Sequence, residues 1–115
     1  MSHTQFTPAE QQAIELYCAG DEVFFLSFRA SCREQFRSDL QQGDRACAAC
    51  DWATLRRVAH SMKGVLRSLG QPELAEQAAV IERTARGGLV QLASQSWVRL
   101  SQGLAAAYGT TVDQF

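Results

Sequence analysis

A chain of 115 residues holds one domain with one hydrophobic core, and an apolar content of 46% suits an ordinary globular fold. Lys and Arg number 11 against 12 Asp and Glu, so there is no basic excess to neutralise nucleic-acid phosphates, and a nucleic-acid binder is excluded. The apolar runs are far shorter than a membrane span and no signal-peptide core opens the chain, so a soluble, cytoplasmic protein is expected.

Residues 1–6 read as a tail that packs through Phe6 alone. Thr7-Pro8-Ala9-Glu10 is a capping box with proline at the first helical position. The helix it opens runs to about Cys18, turns Ile14 and either Tyr17 or Cys18 inward, and stops at Gly20. Asp21 caps the next helix, whose stripe of Phe25, Phe28, Cys32, Phe36 and Leu40 keeps helical spacing. One long helix to about Ala49 is expected, with a break at Gly43-Asp44 as the alternative. Phe24 belongs to the same aromatic series, which is most simply core, with one or two outward members available to a docking face.

Asp51 caps a third helix that closes at Leu69-Gly70, glycine standing where a C-terminal cap requires it. Pro72 then opens a helix carrying Leu74, Ala78, Ile81 and Ala85, and Gly87-Gly88 ends it. From Leu89 a last helix aligns Leu92, Ser96 or Trp97, Leu100, Leu104, and Ala107 or Tyr108. Residues 110–115 read as a second tail. No sustained period-two alternation marks a strand. The expected fold is all-α: a single domain over 1–115, an up-down four-helix bundle with a short additional N-terminal helix.

The third helix carries the chemistry. At about 100° per residue, Leu55, Val58, Met62, Val65, Leu66 and Leu69 fall roughly 120–180° from His60 and form its buried stripe. Arg56, Arg57, Lys63, Gly64 and Arg67 fall within roughly 60° of His60, so the imidazole faces solvent from the middle of a cationic strip. Four cations around one imidazole suit a phosphoryl group rather than a metal ion, and they favour a neutral, nucleophilic ring. Gly64, one turn beyond, costs the helix up to about 1 kcal/mol relative to alanine. Close approach of another surface to the imidazole would account for it.

Ala59-His60-x-x-Lys63-Gly64 followed by Ser68-Leu69-Gly70 resembles the signature of histidine-containing phosphotransfer (HPt) domains of bacterial two-component phosphorelays. The similarity extends upstream through Asp51-Trp52-x-x-Leu55-Arg56-Arg57. Downstream it takes in Leu74-Ala75, Ile81-Glu82 and Ala85-Arg86-Gly87. It covers the central third of the chain, and the remainder by helix layout. The resemblance implies that His60 accepts a phosphoryl group through Nε2 from an aspartyl-phosphate on a receiver domain and passes it to another. It gives Lys63, with Arg56, Arg57 or Arg67, the task of offsetting charge on the phosphoryl oxygens. Gly64 would leave room for the receiver's loops. The partners implied are a response-regulator receiver domain and a hybrid sensor histidine kinase, with this chain a monomer and a phosphotransfer intermediate without independent turnover.

The resemblance also implies no cofactor of the chain's own, the metal ion being expected on the receiver. The sequence departs from the family's pattern at Val65 and Leu66, where small residues are common, and at the bulky Arg67. No Asp or Glu stands one turn either side of His60 on its own helix, which gives no local support for the variety phosphorylated from ATP by a kinase domain.

Cys47-Ala48-Ala49-Cys50 is a Cys-x-x-Cys without metal-ligand partners at suitable spacing and without a βαβ context. Cys18, Cys32 and Cys47 are expected to be small core residues, a redox role for Cys47 and Cys50 being the lesser alternative. Gly87-Gly88 follows no strand and is a turn. Ser61 has no triad around it. The rival functions are a helical adaptor that binds a receiver or kinase without carrying phosphate, favoured by an inaccessible His60, and a thiol-based redox or metal-binding bundle.

Overall fold

The computed structural model describes residues 6–109, and the expected tails at 1–5 and 110–115 lie outside them. Among the described residues there are five helices and no strand: α1 (Pro8–Cys18), α2 (Glu22–Ala48), α3 (Trp52–Ser68), α4 (Pro72–Arg86) and α5 (Val90–Tyr108). Their starts follow local chemistry. Thr7 and Glu10 close the capping box, the Glu10 N–H donating to Thr7 Oγ1 at 3.1 Å and the Thr7 N–H to Glu10 Oε1 at 2.9 Å. Asp21 accepts from the Phe24 N–H at 3.0 Å, and Asp51 from the Thr54 N–H at 3.2 Å.

The ends of α2, α3 and α4 share one device. A residue in the left-handed conformation lets the next N–H reach back to the carbonyl five residues earlier, as Asp51 does to Ala46 at 2.8 Å, Gln71 to Leu66 at 3.0 Å and Leu89 to Thr84 at 2.9 Å. At the end of α2 the left-handed residue is Cys50, with φ 55°, where glycine would be the usual choice. These short corners reverse the chain each time and pack α3 against α2 and α4, and α4 against α5.

The core is filled by Phe25, Phe36, Leu40, Leu55, Met62, Leu66, Leu69, Ile81, Leu100 and Leu104, all essentially inaccessible. The open alternatives resolve by geometry. In α1 it is Cys18 that turns inward and Tyr17 that faces solvent; in α5 Ser96 and Trp97 are both buried. Leu92, expected inward, is half exposed, and Ala93 takes its place in the core. Phe28 is half-buried and Phe24 exposed, the two rings stacking at 6.5 Å. Phe6 is buried, its ring edge-on to Phe25 at 5.6 Å.

α2 is unbroken through Gly43, and the reason for glycine there is packing. A Cβ built at Gly43 would stand 1.9 Å from Cζ2 of Trp97, so the indole of α5 lies directly on the α2 backbone. Trp97 Nε1–H then donates to Asp44 Oδ1 at 2.8 Å, which satisfies the indole's polar edge. Gly70 is needed twice over: its φ is +72°, and a Cβ there would meet Glu10 Cα at 2.6 Å, where α1 rests against the α3–α4 corner.

Gly43→Ala is expected to destabilise the fold by about 1–3 kcal/mol, because a methyl group must displace a large buried ring. Urea denaturation followed by Trp fluorescence checks this, and an unchanged midpoint would contradict the proposed seating of Trp97.

Candidate functional site

His60 sits in the middle of α3, its side chain 66% exposed. The residue immediately before it, Ala59, is fully buried. The buried arc of α3 is therefore wider than the apolar stripe alone, and it is widened toward α4. Small residues at Ala75, Ala78, Ala79 and Ala85 form much of the buried face of α4. That packing brings Glu82 of α4 up to the imidazole.

Glu82 is buried and holds the site together. Its Oε2 lies 2.8 Å from His60 Nδ1, its Oε1 accepts from Lys63 Nζ at 2.7 Å, and Arg86 reaches Oε2 at 3.4 Å. The hydrogen bond from Lys63 is the largest cause holding the Glu82 carboxyl below its usual range. Burial opposes it and His60 adds to it. An ionised carboxylate can only accept, so the hydrogen of this bond resides on Nδ1. In the neutral ring that leaves the lone pair on Nε2 available as a nucleophile.

The expected cation strip is thereby rearranged. Lys63 is turned to Glu82 and is only 20% exposed, so its charge is spent first on the carboxylate. Arg56 and Arg57 are exposed and line a groove of about 420 Å³ with Ala53, His60, Glu82 and Arg86. Arg67 lies away from that groove, in another bounded by α1 and the α3–α4 corner. The cationic environment expected from α3 alone is corrected by the carboxylate that α4 brings. Gly64 is exposed, and a Cβ there would meet nothing within 4 Å.

Glu82 and Arg86 were absent from the site as the sequence predicts it. The signal was nonetheless there: Ala75, Ala78, Ala79, Glu82 and Ala85 recur at helical spacing, which places a lone carboxylate on a buried stripe. Such a group requires a cationic partner. Among the described residues no group of three or more His, Cys, Asp or Glu could hold a metal ion. The four thiols are free, Cys18 and Cys32 buried, Cys47 half-buried and Cys50 exposed.

An exposed histidine on the second long helix of a bundle, followed one turn later by lysine and an unhindered glycine, agrees with comparison against known families. The Hpt domain model matches residues 27–109. The chain belongs to the Hpt domain family. No curated protein and no solved structure matches it. Hpt domains serve phosphotransfer in two-component systems and interact there with receiver domains and kinases. The Hpt match begins inside α2, so α1 and the first turns of α2 lie ahead of it. No helix among the described residues is long and apolar enough to cross a membrane.

Because the Glu82 pKa is lowered on folding, its contribution to stability is fully present above the ordinary glutamate value of 4.5. It is lost as the pH falls through the lower folded-state value. Glu82→Gln is therefore expected to lower stability at neutral pH by about 1–3 kcal/mol, with the difference from wild type narrowing in acid. Paired urea titrations at neutral and acid pH measure both; a pH-independent difference would show that charge is not the cause.

Proposed function

We propose that this chain relays a phosphoryl group between aspartates of receiver domains through Nε2 of His60. The observation that carries the reading is the bond between Glu82 and Nδ1, which in the neutral ring places the lone pair on Nε2 of an exposed side chain. In the forward step the Nε2 lone pair forms the N–P bond as the acyl phosphate O–P bond breaks, and the aspartate leaves as carboxylate. No proton has to depart. The ring keeps its Nδ1–H and becomes cationic, and Glu82 is already placed to balance that charge. Delivery to a second aspartate is the reverse, which suits a carrier rather than a sink.

Arg56, Arg57 and Arg86 border the groove beside His60 and are suited to the phosphoryl oxygens, while Lys63 balances Glu82 and acts on the ring through it. The metal ion and the carboxylates that receive it would come with the receiver, so this chain contributes a positioned nucleophile and cations. Gly64 fits the same reading, since nothing within the chain requires a glycine there. The partners proposed are a response-regulator receiver and a hybrid sensor kinase, engaged by a monomeric, cytoplasmic chain that acts as a phosphoprotein intermediate.

One observation favours a second donor. The carboxylate that α3 lacks beside His60 is supplied from α4, which restores local support for phosphorylation directly by a kinase domain. The adaptor reading, which an inaccessible His60 would have favoured, has no such support, since the ring is largely exposed.

Transfer from a phosphorylated receiver should label the wild-type chain with acid-labile, base-stable phosphate and leave His60→Gln unlabelled. A folded wild type that takes no label from several receivers or from a kinase domain would overturn the relay reading. Gly64→Ala separates function from fold: the isolated protein should gain up to about 1 kcal/mol of stability. Transfer with a receiver should slow about tenfold or more, because the added methyl group displaces the docked reactants. Unaltered transfer kinetics would remove Gly64 from the interface.

A further inference from the structure

We infer that Cys47 and Cys50 form a reversible dithiol–disulfide pair at the corner between α2 and α3, closed by exchange with a low-molecular-weight disulfide. The inference stands apart from the relay reading and makes no use of His60.

Cys47 lies in the last turn of α2, and Cys50 is the second residue beyond its end. The Cys50 N–H donates to the Cys47 carbonyl at 3.2 Å, which closes a turn of four residues. Such a turn brings its end Cα atoms within about 7 Å. A disulfide spans Cα separations of about 4.4–6.8 Å, so a bridge lies within reach of this corner. The backbone singles out the same residue. After α3 and α4 the left-handed position is given to glycine, Gly70 and Gly88, whereas here Cys50 takes it with φ 55°. A side chain is disfavoured in that conformation, and no packing offsets the cost, since Cys50 is exposed. Cys47 is half-buried, while Cys18 and Cys32 are buried and withdrawn from a dissolved oxidant.

The surroundings divide the labour between the two thiols. Burial is the first cause raising the Cys47 thiol above its usual range and Asp44 the second; a hydrogen bond with Ser94 opposes them, and Cys50 adds a further rise. Cys47 therefore stays protonated, and the exposed Cys50 is the thiol that a dissolved disulfide meets. As thiolate, Cys50 Sγ attacks one sulfur of glutathione disulfide. The S–S bond breaks, and one glutathione leaves and takes up the proton that Cys50 gave. Cys47 Sγ then attacks Cys50 Sγ, its proton passing to the second glutathione as that departs. Two electrons move from the protein sulfurs to glutathione disulfide, which yields one intramolecular disulfide and two glutathione thiols. A weakly acidic Cys47 is also a poor leaving group, so the bridge persists once closed. It ties down the residue next to Asp51, whose side chain caps α3.

The test exposes the folded chain to glutathione disulfide at about tenfold excess over reduced glutathione, followed by acid quenching, alkylation of remaining thiols and mass mapping. Cleavage after arginine releases residues 46–56, which hold Cys47 and Cys50 and neither of the other cysteines. In the wild type this peptide should lose two hydrogens and escape alkylation, and dithiothreitol should reverse both changes. Cys47→Ser should instead accumulate a glutathione adduct on Cys50. Cys50→Ser should react at Cys47 at least about tenfold more slowly than Cys47→Ser does at Cys50. Circular dichroism checks that both variants keep their helices. A wild type that holds glutathione on Cys50 without closing the bridge, or whose Cys50 joins a second copy of the chain, would overturn the inference. Recovery of both thiols free from the wild type would do the same, and faster reaction at Cys47 than at Cys50 would overturn the order of attack.

Discussion

A buried carboxylate between α3 and α4 sets the terms for the rest of the molecule. Glu82 is nearly inaccessible, and a charge so placed would be strongly destabilising without partners. It has three: Lys63 and His60 across the helix pair, and Arg86 one turn along its own helix. The network joins stability to chemistry, since the same oxygen that needs a donor holds Nδ1 and directs Nε2 outward. The lysine beside it keeps the carboxylate ionised, and an ionised carboxylate is what assigns the hydrogen to Nδ1.

The bundle is built to hold that contact. Alanines on α4 and Ala59 on α3 let the two helices approach closely enough for a glutamate side chain to reach the ring. On the far side, α5 seats Trp97 on the bare backbone of Gly43, which locks the long α2 as the fixed wall against which α3 packs. α1 does the same at the other end, its backbone resting on Gly70 while the Arg29 guanidinium covers the Phe6 and Phe25 rings at 5.9 and 5.8 Å. Packed neighbours on the inward sides leave the outward face of α3 polar and open to solvent.

That outward face carries features the isolated chain does not need. Gly64 weakens its helix without relieving any contact, and Arg56, Arg57 and Arg67 gather positive charge on the His60 side of α3, where none of them takes part in the ion pairs among the described residues. Gly43 and Gly70 differ in kind, each being required by a neighbour already present. The contrast separates glycines that the packing of the chain requires from one that it does not.

The sequence by itself determined the helices, their caps and the side of α3 on which His60 lies. These depend on interactions within a turn or two, namely the 3.6-residue period, capping side chains and glycine at helix ends. The His60, Lys63 and Gly64 motif was legible for the same reason, all three residues lying on one helical face. The tertiary structure alone decided which cations attend the histidine. His60 and Glu82 are 22 residues apart, and their contact depends on how two helices rotate and approach, to which no local period refers. Gly43 likewise looked like a weak point in α2 until Trp97, 54 positions on, supplied the reason for it. Helix formation is a local property of the chain, whereas the partner of a buried charge and the occupant of a glycine notch are set by packing between distant segments.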